Sequence, residues 1–169
     1  MAKDKKQVYI SLDVEADGPF PGLYSMLSAG YAAFVEGETE PVSTFTRNLE
    51  LIEGADQHPE TMAWWNSTAA LRMLYAETRV DTVSGKTFVD DFTDWINTEF
   101  PNNKYDRVVV CYPASFDWKF PDYYFCRYSP NNKNPLGFSK CLDIKSYVFA
   151  RLGTKFCHTT KRNMPKHWF

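Results

Sequence analysis

The chain has 169 residues, a net charge of −2, 44% hydrophobic and 24% charged side chains, enough for one domain with a substantial core. The near-neutral balance excludes a protein that coats long duplexes but permits one that grips a few phosphates. No apolar leader precedes Asp13 and no long apolar run follows it, so neither a signal peptide nor a membrane span is read and a cytoplasmic protein is expected.

From the N-terminus, "VYISLDV" alternates Val8, Ile10, Leu12 and Val14 against Tyr9, Ser11 and Asp13, the period of a strand. "SMLSAGYAAFVEG" and "EPVSTFTRNLEL" follow, joined by the turn "EGETE", and predict an antiparallel meander. The period then changes. "HPETMAWW" places Pro59 at a first helical position. Ser67 or Thr68 caps a second helical stretch with Leu71, Leu74 and Tyr75. Ser84 caps the clearest helix, whose Phe88, Val89, Phe92, Trp95, Ile96 and Phe100 share one face until Pro101 and Asn102 stop it.

"DRVVVCY" is a continuous apolar run of the kind that forms a buried central strand. "SFDWKFPDYYFCRY" reads as a short helix that Pro121 limits or kinks. In "CLDIKSYVFARLG", Asp143 is an N-cap rather than a ligand and Gly153 is a stop; 154–169 reads as a loop. The pattern is that of an α/β domain with a mixed sheet.

Charge is unevenly placed. Glu36, Glu38, Glu40, Glu50, Glu53, Asp56 and Glu60 stand against Arg47 alone, whereas after Asp143 only Lys145, Arg151, Lys155, Lys161, Arg162 and Lys166 carry charge. Such a basic end either faces phosphates or is a solvated tail. Cys111, Cys126, Cys141 and Cys157 contain no C-x-x-C pair, which speaks against zinc and for a reduced intracellular chain.

Asp13 and Glu15 are i and i+2 in a strand, so their side chains share a face. With Cα atoms roughly 6.6 Å apart, two carboxylates repel by about 2–3 kcal/mol at an effective dielectric of about 20. Solvent, a shared proton or a hard cation such as Mg²⁺ or Mn²⁺ must offset this. Asp117, just past the presumed central strand, stands where open α/β sheets place their ligand sites.

"SLDVEADGP" joined to "YPASFDW", with "YSMLSAGYA" and the "WW" pair at Trp64, resembles the DEDD superfamily of 3′–5′ exonucleases (DEDDh type), the group of ribonuclease T and oligoribonuclease. The resemblance covers nearly the whole chain and implies a ribonuclease H-like fold with a five-stranded mixed sheet. It implies one exonuclease domain over 1–169, acting on single-stranded RNA or DNA 3′ ends or short oligonucleotides, with RNA favoured; relatives are often homodimers. By the same resemblance Asp13 bridges two metal ions, Glu15 serves the first and Asp117 the second. Two cations about 3.5–4 Å apart hold the scissile phosphate and acidify water, and nucleoside 5′-monophosphates are released. Ala16 to Gly18, with Met26, resembles the terminal-nucleotide pocket, and Trp64 or Trp65 either stacks on a base or packs in the core.

The family's third motif, a general-base His with an Asp five residues later on a last helix, is not found. His167 in "RNMPKHWF" is the candidate base near the C-terminus, and His158 in "FCHTTK" is weaker because no acid follows it. The domain is therefore read as C-terminally incomplete, lacking its last helix. Pro113 replaces the Asn that many relatives carry before their F-D pair. A catalytically impaired nucleic-acid or nucleotide-binding module is the alternative.

Overall fold

The computed structural model describes residues 5–168; Met1–Asp4 and Phe169, part of the expected 1–169 domain, lie outside the described residues. The first strand, β1 (Lys6–Ala16), buries Val8, Ile10, Leu12 and Val14 and turns Ser11 and Asp13 outward, as its alternation demands. Antiparallel to it runs β2 (Met26–Val35), and β3 (Ser43–Asn48) is antiparallel to β2. On the other side of β1, β4 (Tyr105–Cys111) pairs in parallel, followed by the short parallel β5 (Cys141–Asp143). The order β3-β2-β1-β4-β5 makes a mixed five-stranded sheet with the acid-bearing strand at its centre.

Three helices separate the meander from β4. The first, α1 (Pro59–Trp65), has its leading amide capped by His58; α2 (Ala69–Glu77) is capped by Thr68, and α3 (Gly85–Glu99) by Ser84, whose hydroxyl accepts from the Thr87 amide. Each cap satisfies a donor that the first helical turn leaves free. Phe88, Val89, Phe92 and Ile96 of α3 are buried and pack with Phe45 and Tyr31 of the sheet. The Phe88 and Phe125 rings stack at 5.8 Å, so much of the aromatic content is core; such pairs add about 0.5–1.5 kcal/mol beyond their buried area. The buried Arg107 donates from Nε to the Phe100 carbonyl at 2.7 Å and from Nη2 to that of Ile96 at 3.0 Å. A cation thus closes the carbonyl end of α3.

After β4 come α4 (Ala114–Asp117), α5 (Lys119–Tyr128) and, following β5, α6 (Ile144–Leu152). Two readings need correction. The single helix expected across "SFDWKFPDYYFCRY" is two, and the break falls at Trp118 rather than at Pro121. Pro121 sits in the first turn of α5, where the missing N–H costs nothing. The segment 154–168 is not a featureless loop: it winds through short 3₁₀ turns at Phe156–His158, Lys161–Asn163 and Lys166–Trp168. Asp143 caps α6, and Gly153 ends it at φ +58°, a conformation glycine adopts without strain. Among the described residues no α-helix follows α6, and none is long and apolar enough to cross a membrane.

Candidate active site

Parallel pairing of β1 with β4 aligns Ser11 with Val110. Two residues on, Asp13 therefore stands at the level where β4 leaves the sheet through Tyr112 and Pro113. The next residues wind into α4, with the Pro113 carbonyl accepting from the amides of Phe116 and Asp117. That single turn returns Asp117 to β1. The Asp143 carboxylate helps fix it, accepting from the Ala114 amide at 3.1 Å while its second oxygen accepts from the Ser146 amide at 3.0 Å. Burial alone raises the Asp143 pKa, yet these hydrogen bonds outweigh it and hold the carboxyl below its usual value.

The three acids are brought together. Asp13 is exposed, Glu15 half-buried and Asp117 buried at 3% exposure. Burial, then the charge of Asp13 and that of Asp117, pushes the Glu15 pKa up to about 7. Burial, then Asp13, raises Asp117 to about 6, while the backbone at Tyr112 and Val14 and the charge of Lys161 pull the other way. Asp117 Oδ2 is buried with no hydrogen-bond partner. An orphaned carboxylate oxygen beside two further acids has the chemistry that a hard divalent cation fits, since it supplies the charge the protein lacks there. Among the described residues no three His, Cys, Asp or Glu side chains already gather tightly enough to ligate a single ion.

A hollow of about 400 Å³ opens beside Glu15, lined by Ala16, Gly18, His58, Thr61, Trp64 and Phe116 among others. At Gly18 an added Cβ would stand 2.2 Å from Tyr24 Cγ, so a side chain there would displace the Tyr24 ring. His58 Nδ1 accepts from the Thr61 amide at 3.3 Å, which assigns its ring proton to Nε2.

No family model matches the chain. It is 36% identical over 145 residues to the 3′-5′ DNA exonuclease Cap18 of Escherichia coli, an alignment that covers 86% of this chain and 70% of that protein. The chain belongs to the DEDD-type 3′–5′ exonucleases. Its fold is that of the nuclease domain of 3′hExo, a DEDDh family member bound to rAMP (TM-score 0.66, 11% identity, 94% of this chain and 77% of that chain). Product-bound exonuclease I superposes at a TM-score of 0.64 with 12% identity over 89% of this chain, which spans only 34% of that one. A zinc-bound form of E. coli exonuclease I with single-stranded DNA gives 0.62 at 13% identity, over 88% of this chain and 30% of that one. The ribonuclease H-like sheet of this exonuclease family is thus present from β1 to β5.

Measured against the family pattern, the site residues read from sequence divide. Asp13, Glu15 and Asp117 meet, and Ala16, Gly18 and Trp64 line the hollow beside them. Three others are corrected. Met26 is 0% exposed, and its amide donates to Tyr124 Oη at 3.2 Å; it packs in the core cluster and does not line the hollow. Trp65 is 2% exposed and donates from Nε1 to the Ala16 carbonyl at 3.1 Å; it is a core residue that edges a separate hollow with Glu15 and Ser28 and does not line the aromatic one. His167 is exposed on the last 3₁₀ turn and lines none of the hollows bordering Asp13 and Glu15. His158 is likewise exposed.

Sequence reasoning missed His58 and Phe116, and named Lys161 only as part of a basic end that either faces phosphates or is a solvated tail. His58 had a signal, the N-cap position directly before Pro59. Phe116 and Lys161 reach the acids only through the path of the folded chain.

Proposed function

We propose that this chain is a divalent-metal-dependent exonuclease that removes nucleoside 5′-monophosphates from single-stranded 3′ ends, DNA in preference to RNA. The observation that carries the reading is the meeting of Asp13, Glu15 and the orphaned Asp117 carboxylate, with Glu15 lining an aromatic hollow. Asp13 with Glu15 would hold one Mg²⁺ or Mn²⁺ and Asp13 with Asp117 a second, so neither ion needs all three carboxylates. Ions bound there supply Lewis acidity at the scissile phosphate and an acidified water. The chain's own part is placement. Trp64 and Phe116 offer ring faces to the terminal base, a contact that tolerates any sequence. His58 Nε2–H is a donor for the sugar, and the backbone at Ala16 to Gly18 forms the wall.

Preference for DNA rests on the relative whose name is a DNA exonuclease, matched over 145 residues. The family resemblance in the sequence favours RNA, and the name of this relative supports DNA instead. The test is degradation of 3′- and 5′-labelled DNA and RNA oligonucleotides with Mn²⁺ or Mg²⁺. Wild type gives a ladder shortening from the 3′ end, faster on DNA, and Asp13→Ala gives none. Equal degradation by Asp13→Ala removes the active-site assignment, and faster RNA cleavage removes the sugar preference.

A second reading, a nucleotide-binding module that does not cut, draws support from the exposed placement of His167 away from the acids. Metal-dependent binding of 3′ ends with no product over hours favours that reading.

A further inference from the structure

The basic C-terminal segment is not a solvated tail. Tyr112, the residue that follows β4, donates from Oη to the Thr159 carbonyl at 2.8 Å. Thr159 is 0% and Met164 8% exposed, so the chain is pinned on both sides of Lys161 and Arg162, which are themselves exposed. Lys161 lies 5.5 Å from the centroid of the Tyr112 ring. It lines a hollow of about 380 Å³ together with Ser11, Asp13 and Tyr112. A further hollow of about 600 Å³ continues from it along Tyr112, Thr160, Lys161, Arg162 and Asn163. Tyr112 and Lys161 border both.

These hollows begin at Ser11 and Asp13, whereas the aromatic hollow begins at Glu15 and Ala16. They therefore lie at opposite ends of the carboxylate pair along β1. Among the described residues neither Lys161 nor Arg162 forms an ion pair, and no acid follows Asp143 in the chain. Two unpaired cations, a half-buried tyrosine ring and small polar side chains along a groove are elements that track a single-stranded polynucleotide.

We infer that Lys161 and Arg162, with Tyr112, form a binding site for the phosphates of the strand 5′ to the scissile bond. The inference rests on the exonuclease reading above, which puts the 3′-terminal nucleotide in the aromatic hollow. The strand then leaves past Asp13 toward Lys161. There, positive charge offsets the repulsion between the phosphates and the three acids. The grip is electrostatic, so it reads strand length and not base sequence.

The test is equilibrium binding of oligodeoxynucleotides of one to eight residues, with Ca²⁺ replacing Mg²⁺, to wild type and to a Lys161→Ala, Arg162→Ala double variant. Wild type gains affinity as length passes two nucleotides. The double variant binds the octamer about 5- to 50-fold more weakly but the 5′-mononucleotide equally well. Its salt dependence is shallower by about 1.4 on logarithmic axes, two phosphate contacts at ~0.7 each. Equal octamer affinity in the two proteins overturns the inference, as does an equal loss for the mononucleotide, which would move both cations to the terminal site. If the double variant fails to fold, Arg162→Glu alone gives the same comparison. Should folded wild type bind no oligonucleotide of any length, the exonuclease reading itself falls and takes the inference with it.

Discussion

Trp64 and Trp65 are neighbours in sequence with opposite fates, because consecutive helical residues point about 100° apart. Trp65 is buried beside the Tyr75 ring, and its indole N–H holds the Ala16 carbonyl at the end of β1. Trp65→Ala is expected to cost about 3–5 kcal/mol, and each kcal/mol lowers the melting temperature by roughly 2–4 °C at this size. Trp64 is 51% exposed at the mouth of the hollow. Trp64→Ala should leave stability within about 0.5 kcal/mol and weaken terminal-nucleotide binding about 5- to 150-fold, the range for a lost stacking contact of about 1–3 kcal/mol. Thermal melts beside nucleotide titrations separate the two. A Trp64→Ala protein with undiminished affinity shows that its ring is no base platform.

At the scale of elements, α4 is a single turn of four residues and too short to hold itself together. Its position is set by its neighbours, and Asp143 is the shared clamp: one oxygen fixes the start of α4, the other the start of α6. Asp143→Ala is expected to cost about 1–2 kcal/mol as a lost cap. It should also weaken metal-dependent stabilisation, because Asp117 ends the turn that Asp143 anchors. Asp143→Asn, which keeps an acceptor for one amide, should recover most of the stability. If alanine lowers the melting temperature but leaves the response to Mn²⁺ untouched, α4 is held by something else. The long elements were legible because each has an unbroken period, as Val8 to Val14 and Phe88 to Ile96 show. Strand β5 was not: at three residues it is too short for a period, and its sequence reads as the approach to α6. The break at Trp118 was equally silent, since Pro121 is the stronger local signal and lies in the first turn of α5, where a proline is tolerated.

For the whole molecule, the carboxylates were legible because strand alternation fixes Asp13 against Glu15 and a strand end announces Asp117. His58 and Phe116 reach one side of the carboxylates and Lys161 the other, from three remote segments, and no local pattern encodes that meeting. Its electrostatic consequence extends to global stability. Glu15 and Asp117 titrate near 7 and 6 instead of 4.5 and 3.8, so the metal-free native state keeps protons that the unfolded chain releases. The contribution of these two carboxyls to native stability is then fully present at low pH and is lost as pH rises through about 6 to 7, while that of Asp143, held below its usual value, runs the other way. A divalent cation removes the same excess charge, so its stabilising effect should grow over the same window. Metal-free protein should therefore melt several degrees lower at about pH 8 than at about pH 5.5, and millimolar Mn²⁺ should recover the difference at the higher pH while adding little at the lower. Asp117→Asn, which deletes one of the crowded charges, should raise the metal-free melting temperature at about pH 8 by roughly 2–4 °C, the equivalent of about 1 kcal/mol. It should also flatten the pH profile and blunt the response to Mn²⁺. A wild-type profile that is flat without metal, or an Asp117→Asn protein that responds to Mn²⁺ as fully as wild type, would mean that the three acids do not share one field.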